Sequence, residues 1–438
     1  MTGTIDVKKI LEKIEKTDKP QVRKAVLAYS GGMDSTLGVE FLRRIYKAKE
    51  IVAITLDVGQ GIEEIEDSRQ KAAKLNIKPI LIDVKDEFTE VWLKKAIKAN
   101  SNYNGYPVAT SMTRQLVAAV TAKEALKHGC DAILEGCTGK GNDQYRMHNV
   151  IKYFAPEIEI LQPVRDFDLT RFEEDALVKE WNVPKSEQIT GGDDKTLWCR
   201  SIASGAVDLN QPIPDDIWMW LEPPEKAPDA PEFIEIGFEQ GVPVSLNGKR
   251  MKLGELVMQL NEIAGRNGIG KIDMFEDGIM NMKSREIYEA PAAHVILKLH
   301  SDLEQWCLTK DEIQFKKTVD AKWAYMVYHG EWYHPLKEDL DAFIAKSQEY
   351  VNGKYTVKLY KGNVEIVKRD SDTGLFNQEM RSIKTRGFDQ RWAIGSTKVA
   401  TLQWMILAKA GRTPSMNVEI KKEEKKAKKK KVATVARR

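Results

Sequence analysis

Residues 24–36 read KAVLAYSGGMDST, and this stretch decides the fold. An apolar run over 24–30 closes in Gly31 and Gly32. Leu37, Val39, Phe41, Leu42 and Ile45 then recur at helical spacing. The order is strand, glycine turn, helix. Two glycines let the backbone approach an anion closely. The first turn of a helix adds unpaired N–H groups and the positive end of a dipole. Ser30, Ser35 and Thr36 contribute hydroxyl donors, and Asp34 is placed to cap the helix or to help hold a divalent cation. A Gly-Gly turn with an ordinary cap is the plainer alternative, but the whole S-G-G-x-D-S-T run at a strand–helix junction favours a phosphate loop.

Outward from this loop the same alternation repeats. Strands are predicted at 50–58 (EIVAITLDV), 78–84 (KPILIDV), 131–134 (DAIL) and 158–164 (IEILQPV). Helices fall from about 62, over 92–98 and over 108–127. Strands alternating with helices of this length indicate a parallel, doubly wound α/β sheet, whose ligands bind beyond the carboxyl ends of the strands. A second glycine-rich segment, 136–143, occupies one of those ends. From about residue 184 the texture changes to a mixed α+β region. It has a Pro-rich stretch at 213–232, strands predicted at 233–238, 292–299, 355–359 and 364–368, and helices at 253–264 and 336–351. A last helix over 398–410 ends at Gly411, a suitable C-cap. The predicted division is an N-terminal extension with a short helix (1–20), a nucleotide-binding domain (21–183), a second domain (184–395), a C-terminal helix (396–415) and a basic disordered tail (416–438).

The 438 residues allow two or three domains, and 42% apolar with 30% charged residues fits a globular protein. No apolar run reaches the ~18 residues of a membrane span, and the first residues lack a signal core, so a cytoplasmic protein is expected. Cys130, Cys137, Cys199 and Cys307 form no C-x-x-C pair, and there is no metal-spaced His pair, so no metal ligands are assigned. The net charge of +3 hides an asymmetry. Residues 421–438 hold ten Lys/Arg against two Glu, a net +8, which leaves −5 for the rest. A solvated extension is the favoured reading of that tail over contact with nucleic acid. Gly265–Lys271 (GRNGIGK) has Walker A spacing, but Ile272 stands where Ser or Thr would bind a cation, and a helix precedes it; a helix end and turn is preferred.

The second loop, Gly136-Cys137-Thr138-Gly139-Lys140-Gly141-Asn142-Asp143-Gln144, followed by Arg146, suits an amino acid. A carboxamide can donate to a carboxylate, a carboxylate can hold an ammonium, and a guanidinium forks onto a second carboxylate. Taken together, AYSGGMDST, TLDVGQ (55–60), GYPVATSMTR (105–114), GCTGKGNDQYR (136–146), LNEIAGRNGIGKID (260–273), MKSREIYEAP (282–291) and KLYKGN (358–363) resemble the argininosuccinate synthase family in order and spacing. The first loop resembles the PP-loop of adenine-nucleotide alpha hydrolases.

The resemblance implies an ATP- and Mg2+-using cytoplasmic ligase of arginine biosynthesis, a homotetramer, which joins citrulline to aspartate through a citrullyl-adenylate. It implies ATP contacts at Ala28, Tyr29, Ser30, Gly31, Gly32, Met33, Asp34, Ser35, Thr36, Leu56 and Gly136. Aspartate would meet Thr138, Asn142 and Asp143, with Thr110 nearby. Citrulline would meet Tyr106, Ser111, Arg146, Ser201, Glu276 and Tyr288. Asp34, Asp143 and Arg146 are the expected catalytic residues.

Several positions depart from the family pattern. Glu135 replaces a usual His, and Met147-His148 replaces Phe-Glu. Gly192 replaces a Ser and Ala203 a Glu, and Glu276-Asp277-Gly278 replaces Glu-Asn-Arg. They gather around the acceptor side, so the sequence leaves open a paralogue with a different ureido or carbonyl acceptor. A tRNA-thiolating enzyme would need a partner for Cys137, and none is evident. An RNA-associated protein acting through the tail is a further alternative.

Overall fold

A computed structural model describes residues 6–184, 194–205 and 209–412, apart from the side chains at 203–205. Gly192, the Ala203 side chain and the tail 416–438 lie outside the described residues.

Strands β1 (Lys24–Ala28), β2 (Glu50–Asp57), β3 (Ile80–Asp83), β4 (Ala132–Leu134) and β5 (Glu159–Leu161) pair in parallel, in the order β3-β2-β1-β4-β5. Their side chains alternate between two cores. Val26, Ile54 and Ile133 enter one, while Ala25, Leu27, Ala53 and Leu134 enter the other. Both faces are therefore covered, as a doubly wound sheet requires, and each large buried apolar side chain contributes about 1.5–3 kcal/mol. The chain leaves β1 toward β2 and β4 toward β5, on opposite sides. The loops that follow β1 and β4 thus frame the crevice where the strand order reverses.

The remainder forms two antiparallel sheets. One has the order β10-β9-β8-β13-β14, from β8 (Glu232–Glu239), β9 (Val242–Leu246), β10 (Lys249–Arg250), β13 (Gly353–Tyr360) and β14 (Asn363–Asp370). The other, β11-β12-β7-β6, uses β6 (Asp194–Lys195), β7 (Arg200–Gly205), β11 (Lys271–Asp277) and β12 (Lys283–Glu289).

The predicted strand at 292–299 is overturned, because those residues lie within the helix Pro291–Cys307. Its buried residues Ala292, Val295, Ile296, Leu299 and Leu303 follow a helical period, and Pro291 occupies the first turn, where a missing N–H costs nothing. The structure adds a helix at Lys310–Tyr328, whose start Thr309 and Glu312 close in a reciprocal capping box. The Walker-like segment is the end of the helix Leu253–Arg266, a turn, and the start of β11. Gly270 there, at φ +111°, would place a Cβ 2.5 Å from Pro291, so its glycines serve packing.

Of the described residues, those up to Leu375 form one compact unit and those from Phe376 onward a second. In the second, the helix Trp392–Lys409 buries none of its residues, and Val399, Leu402, Met405 and Ile406 are all exposed. Gly411, at φ +68°, follows the C-cap Ala410. Among the described residues no helix is long and apolar enough to cross a membrane.

Candidate active site

A cavity of about 510 Å³ opens at the switch point. The loops after β1 and β4 touch there: a Cβ on Gly136 would stand 2.9 Å from that of Asp34. Ala28, Tyr29, Ser30, Asp34, Ser35, Leu56 and Gly136 line one end of it. Gly31, Gly32, Met33 and Thr36 shape the loop without lining the cavity. Gly31 has φ +80°, and a Cβ there would lie 2.7 Å from the Ser68 Cα. Thr36 Oγ1 donates to the Gly32 carbonyl at 2.6 Å. The Ser30 and Ser35 hydroxyls lie 3.1 Å apart.

Asp34 does not cap the helix. The N-cap of Met33–Glu40 is Gly32, and no side chain caps it, which leaves first-turn N–H groups for an anion. The Asp34 carboxylate instead accepts from Arg171 Nη1 at 2.5 Å, and that guanidinium also reaches Glu174 at 2.7 Å. Burial, with Asp34 adding to it, pushes the Glu174 carboxyl up to about 7. Arg171 heads the helix Arg171–Glu180, fixed by a capping box between Thr170 and Glu173. It lines the cavity, whereas exposed Lys140 of the second glycine-rich loop does not. No signal within residues 24–36 pointed to Arg171.

At the other end, Tyr106, Thr110, Thr138, Asn142, Asp143, Arg146, Ser201, Glu276 and Tyr288 meet. Asp143 begins the helix Asp143–Phe154, so Arg146 stands one turn on, and Arg146 Nη1 donates to Asp143 at 2.8 Å. Arg114 Nε donates to the other Asp143 oxygen at 2.9 Å. Burial alone would raise this carboxyl, but the Arg114 and Arg146 guanidinium groups hold it below the ordinary carboxylate value. Ser111 is fully buried and lies off the cavity wall, and its hydroxyl has no hydrogen-bond partner.

The Tyr106 and Tyr288 rings stack with centroids 4.6 Å apart, and the Thr110 N–H donates to the Tyr106 hydroxyl at 2.6 Å. Glu276 sits at the end of β11, almost wholly buried. It accepts from Tyr288 at 3.0 Å and from Tyr328. Burial raises its pKa, the two phenols oppose the shift, and nearby Glu286 adds to it. Two buried carboxylates beside each other at the cavity wall suit an ammonium group. Sequence reading missed Glu286, Arg114 and Tyr328, although Arg114 and Glu286 lie inside segments it had singled out.

Glu135, one of the departures from the family pattern, closes the cavity between the two ends. Gln162 Nε2 donates to it, and the Cys137 thiol stands 3.7 Å away. Burial pushes Glu135 up to about 8 and the Cys137 thiol well above its ordinary value. Cys137, like the other three cysteines, is free. Among the described residues no cluster of three or more His, Cys, Asp or Glu could cage a metal. A cation that arrives on phosphates needs only one or two protein carboxylates, and Asp34 beside the loop hydroxyls fits that demand.

Family models match the two halves. Residues 24–184 match the arginosuccinate synthase N-terminal HUP domain, and residues 192–407 match the arginosuccinate synthase C-terminal domain. The argininosuccinate synthase of Pyrococcus furiosus is 46% identical over 382 residues, which is 86% of this chain and 92% of that protein. The argininosuccinate synthase of Methanococcus maripaludis is 43% identical over 387 residues, 87% of this chain and 97% of that protein. With both halves matched, relatives aligned over nearly their full length, and a switch-point cavity that joins the phosphate loop to the Asn142-Asp143-Arg146 cluster, the chain belongs to the argininosuccinate synthase family.

Proposed function

We propose that the chain condenses citrulline with aspartate at this cavity, in the nucleotide-binding half 21–183 and the synthetase half 184–395, at the expense of ATP. The ureido oxygen of citrulline attacks the α-phosphorus, the bond to the bridging oxygen breaks, and pyrophosphate leaves. The aspartate amine, having lost a proton, then attacks the ureido carbon, AMP departs with the former ureido oxygen, and argininosuccinate remains. Adenylation turns a poor leaving oxygen into a good one, so positioning and charge neutralisation suffice and no protein nucleophile is needed.

The observation that carries this reading is the meeting of a phosphate loop and an amino-acid site within one cavity. The uncapped N–H groups of the helix Met33–Glu40 and the Ser30 and Ser35 hydroxyls receive phosphate oxygens. Asp34 would hold Mg2+ arriving with ATP, and the bound cation would supply neutralisation of the phosphate charge. Thr138, Asn142 and Asp143 receive aspartate, with Thr110 close by. Arg146 and Ser201 receive the citrulline carboxylate, Glu276 its ammonium group, and the stacked Tyr106 and Tyr288 its aliphatic stem. The exposed apolar side chains of Trp392–Lys409 call for a partner surface, for which a second copy in a cytoplasmic homotetramer is the reading adopted.

Incubation with citrulline, aspartate and MgATP, read by mass spectrometry, is expected to yield argininosuccinate, AMP and pyrophosphate in equal amounts. Folded, ATP-binding protein that makes no argininosuccinate would overturn the reading.

A further inference from the structure

The residue that joins the two amino-acid subsites does not itself face the cavity. Tyr328 is the last residue of the helix Lys310–Tyr328 and is fully buried. Its hydroxyl accepts from Asn142 Nδ2 at 2.8 Å and donates to Glu276. Beyond Asn142, the Ile279 N–H donates to Oδ1 at 2.8 Å.

Every proton in this series has a determined direction. A peptide N–H can only donate, so the Asn142 oxygen faces Ile279 and its NH2 group faces Tyr328. The phenol carries one proton, which it donates in a hydrogen bond to the Glu276 carboxylate. The series therefore runs from peptide N–H to carboxamide to phenol to carboxylate. The same residue supports Arg146, whose Nε donates to the Tyr328 carbonyl at 2.9 Å and whose guanidinium lies 4.6 Å from the ring centroid.

We infer that Tyr328 is a positioning residue that couples the aspartate subsite to the acceptor subsite, through one hydroxyl bridging Asn142 and Glu276. The inference rests on the assignment of Asn142 to aspartate and Glu276 to citrulline. A ligand at either end orders the shared series, so the second ligand meets a site already ordered and binds more tightly. The effect is reciprocal: each amino acid tightens the other by the same factor.

Tyr328→Phe tests this, because it keeps the ring and the backbone carbonyl and removes only the hydroxyl. Citrulline and aspartate are titrated by calorimetry, alone and together, with α,β-methylene ATP present so that no adenylate forms. Wild-type protein is expected to show mutual tightening on the order of fivefold or more. Tyr328→Phe should bind both amino acids about tenfold more weakly and lose the mutual effect, with affinity for the nucleotide analogue unchanged. Because the mutual effect is a ratio of affinities within one protein, a general loss of stability does not remove it. Tyr103→Phe deletes a neighbouring hydroxyl that bonds the Asp277 carbonyl at 3.0 Å, and should retain the coupling. Wild-type protein that binds both amino acids independently, or Tyr328→Phe that keeps their coupling, overturns the inference. Wild-type protein that binds neither defeats the functional reading, and this inference with it.

Discussion

One end of the cavity is met mainly by a single short stretch of chain, through Ala28, Tyr29, Ser30, Asp34 and Ser35 and the uncapped N–H groups of a helix start, whereas Tyr106, Asn142, Arg146, Glu276 and Tyr288 converge on the other end from well-separated segments. The first end is stiffened by sterics: Gly31 is pressed on Ser68, and Gly136 on Asp34. The second is stiffened by charge and hydrogen bonds, with Asp143 between two guanidinium groups and Glu276 between two phenols. A site of backbone donors tolerates side-chain drift but not added volume. A site of buried, mutually paired side chains tolerates neither charge loss nor repacking, because each removal strands its partner.

Arg146→Ala should have the largest effect. It removes a partner of Asp143 and the bond to the Tyr328 carbonyl, and breaking a buried ion pair costs about 3–5 kcal/mol. Argininosuccinate formation should fall by about 100-fold or more, and the melting temperature should drop, while the folded variant binds ATP within a few-fold of wild type. An equal loss of ATP affinity would erase the distinction between the two ends.

Gly31→Ala probes the opposite end. A left-handed backbone at φ +80° costs an alanine roughly 1–2 kcal/mol, and a Cβ 2.7 Å from a backbone atom adds overpacking. ATP affinity measured by calorimetry should fall by about 10-fold or more, with citrulline affinity little changed. If the variant binds ATP normally, the steric account of the loop is wrong.

The smallest effect is expected where the ends meet, at Glu135. Burial pushes its carboxyl up from 4.5 to about 8. Between those values the folded chain keeps a proton that the unfolded chain has lost. This contribution to stability is therefore full below about pH 4.5 and is lost as pH rises through about 8. Gln keeps the shape and has no proton to lose. The melting temperature of Glu135→Gln should accordingly fall less than wild type between pH 6 and 9, by roughly 2–4 °C. Parallel curves would mean that Glu135 is already ionised in the fold.

The sequence made some features readable for local reasons. The short apolar run Ala25–Ala28, closed by Gly31-Gly32, reads as a strand covered on both faces, and the glycine pair marks a turn whose chemistry is its own. The run Ala292–Leu299 misled because short apolar runs satisfy both periods. Pro291, and the continuation of the buried spacing to Leu303, resolve it only over a longer window. Asp34 was read as a cap or cation ligand from its neighbours, yet its observed partner is Arg171, 137 positions away. The second half was legible as a set of motifs but not as a site, since nothing local brings Glu276 to Arg146.

By itself, then, the sequence determined the parallel nucleotide-binding sheet, its phosphate loop and the family. The sheet and the loop depend on residues adjacent in the chain, whose backbone period and helix start are set by local sterics and hydrogen bonding, and the family on the order of short motifs along the chain. Only the tertiary structure decided that Arg171 and Glu174 attend Asp34, that Arg114 shares Asp143, and that Tyr328 lies behind Asn142 and Glu276. Those contacts arise from how helices and sheets pack. A side chain on the last turn of a helix carries no mark of which distant carboxylate the packing will bring to it.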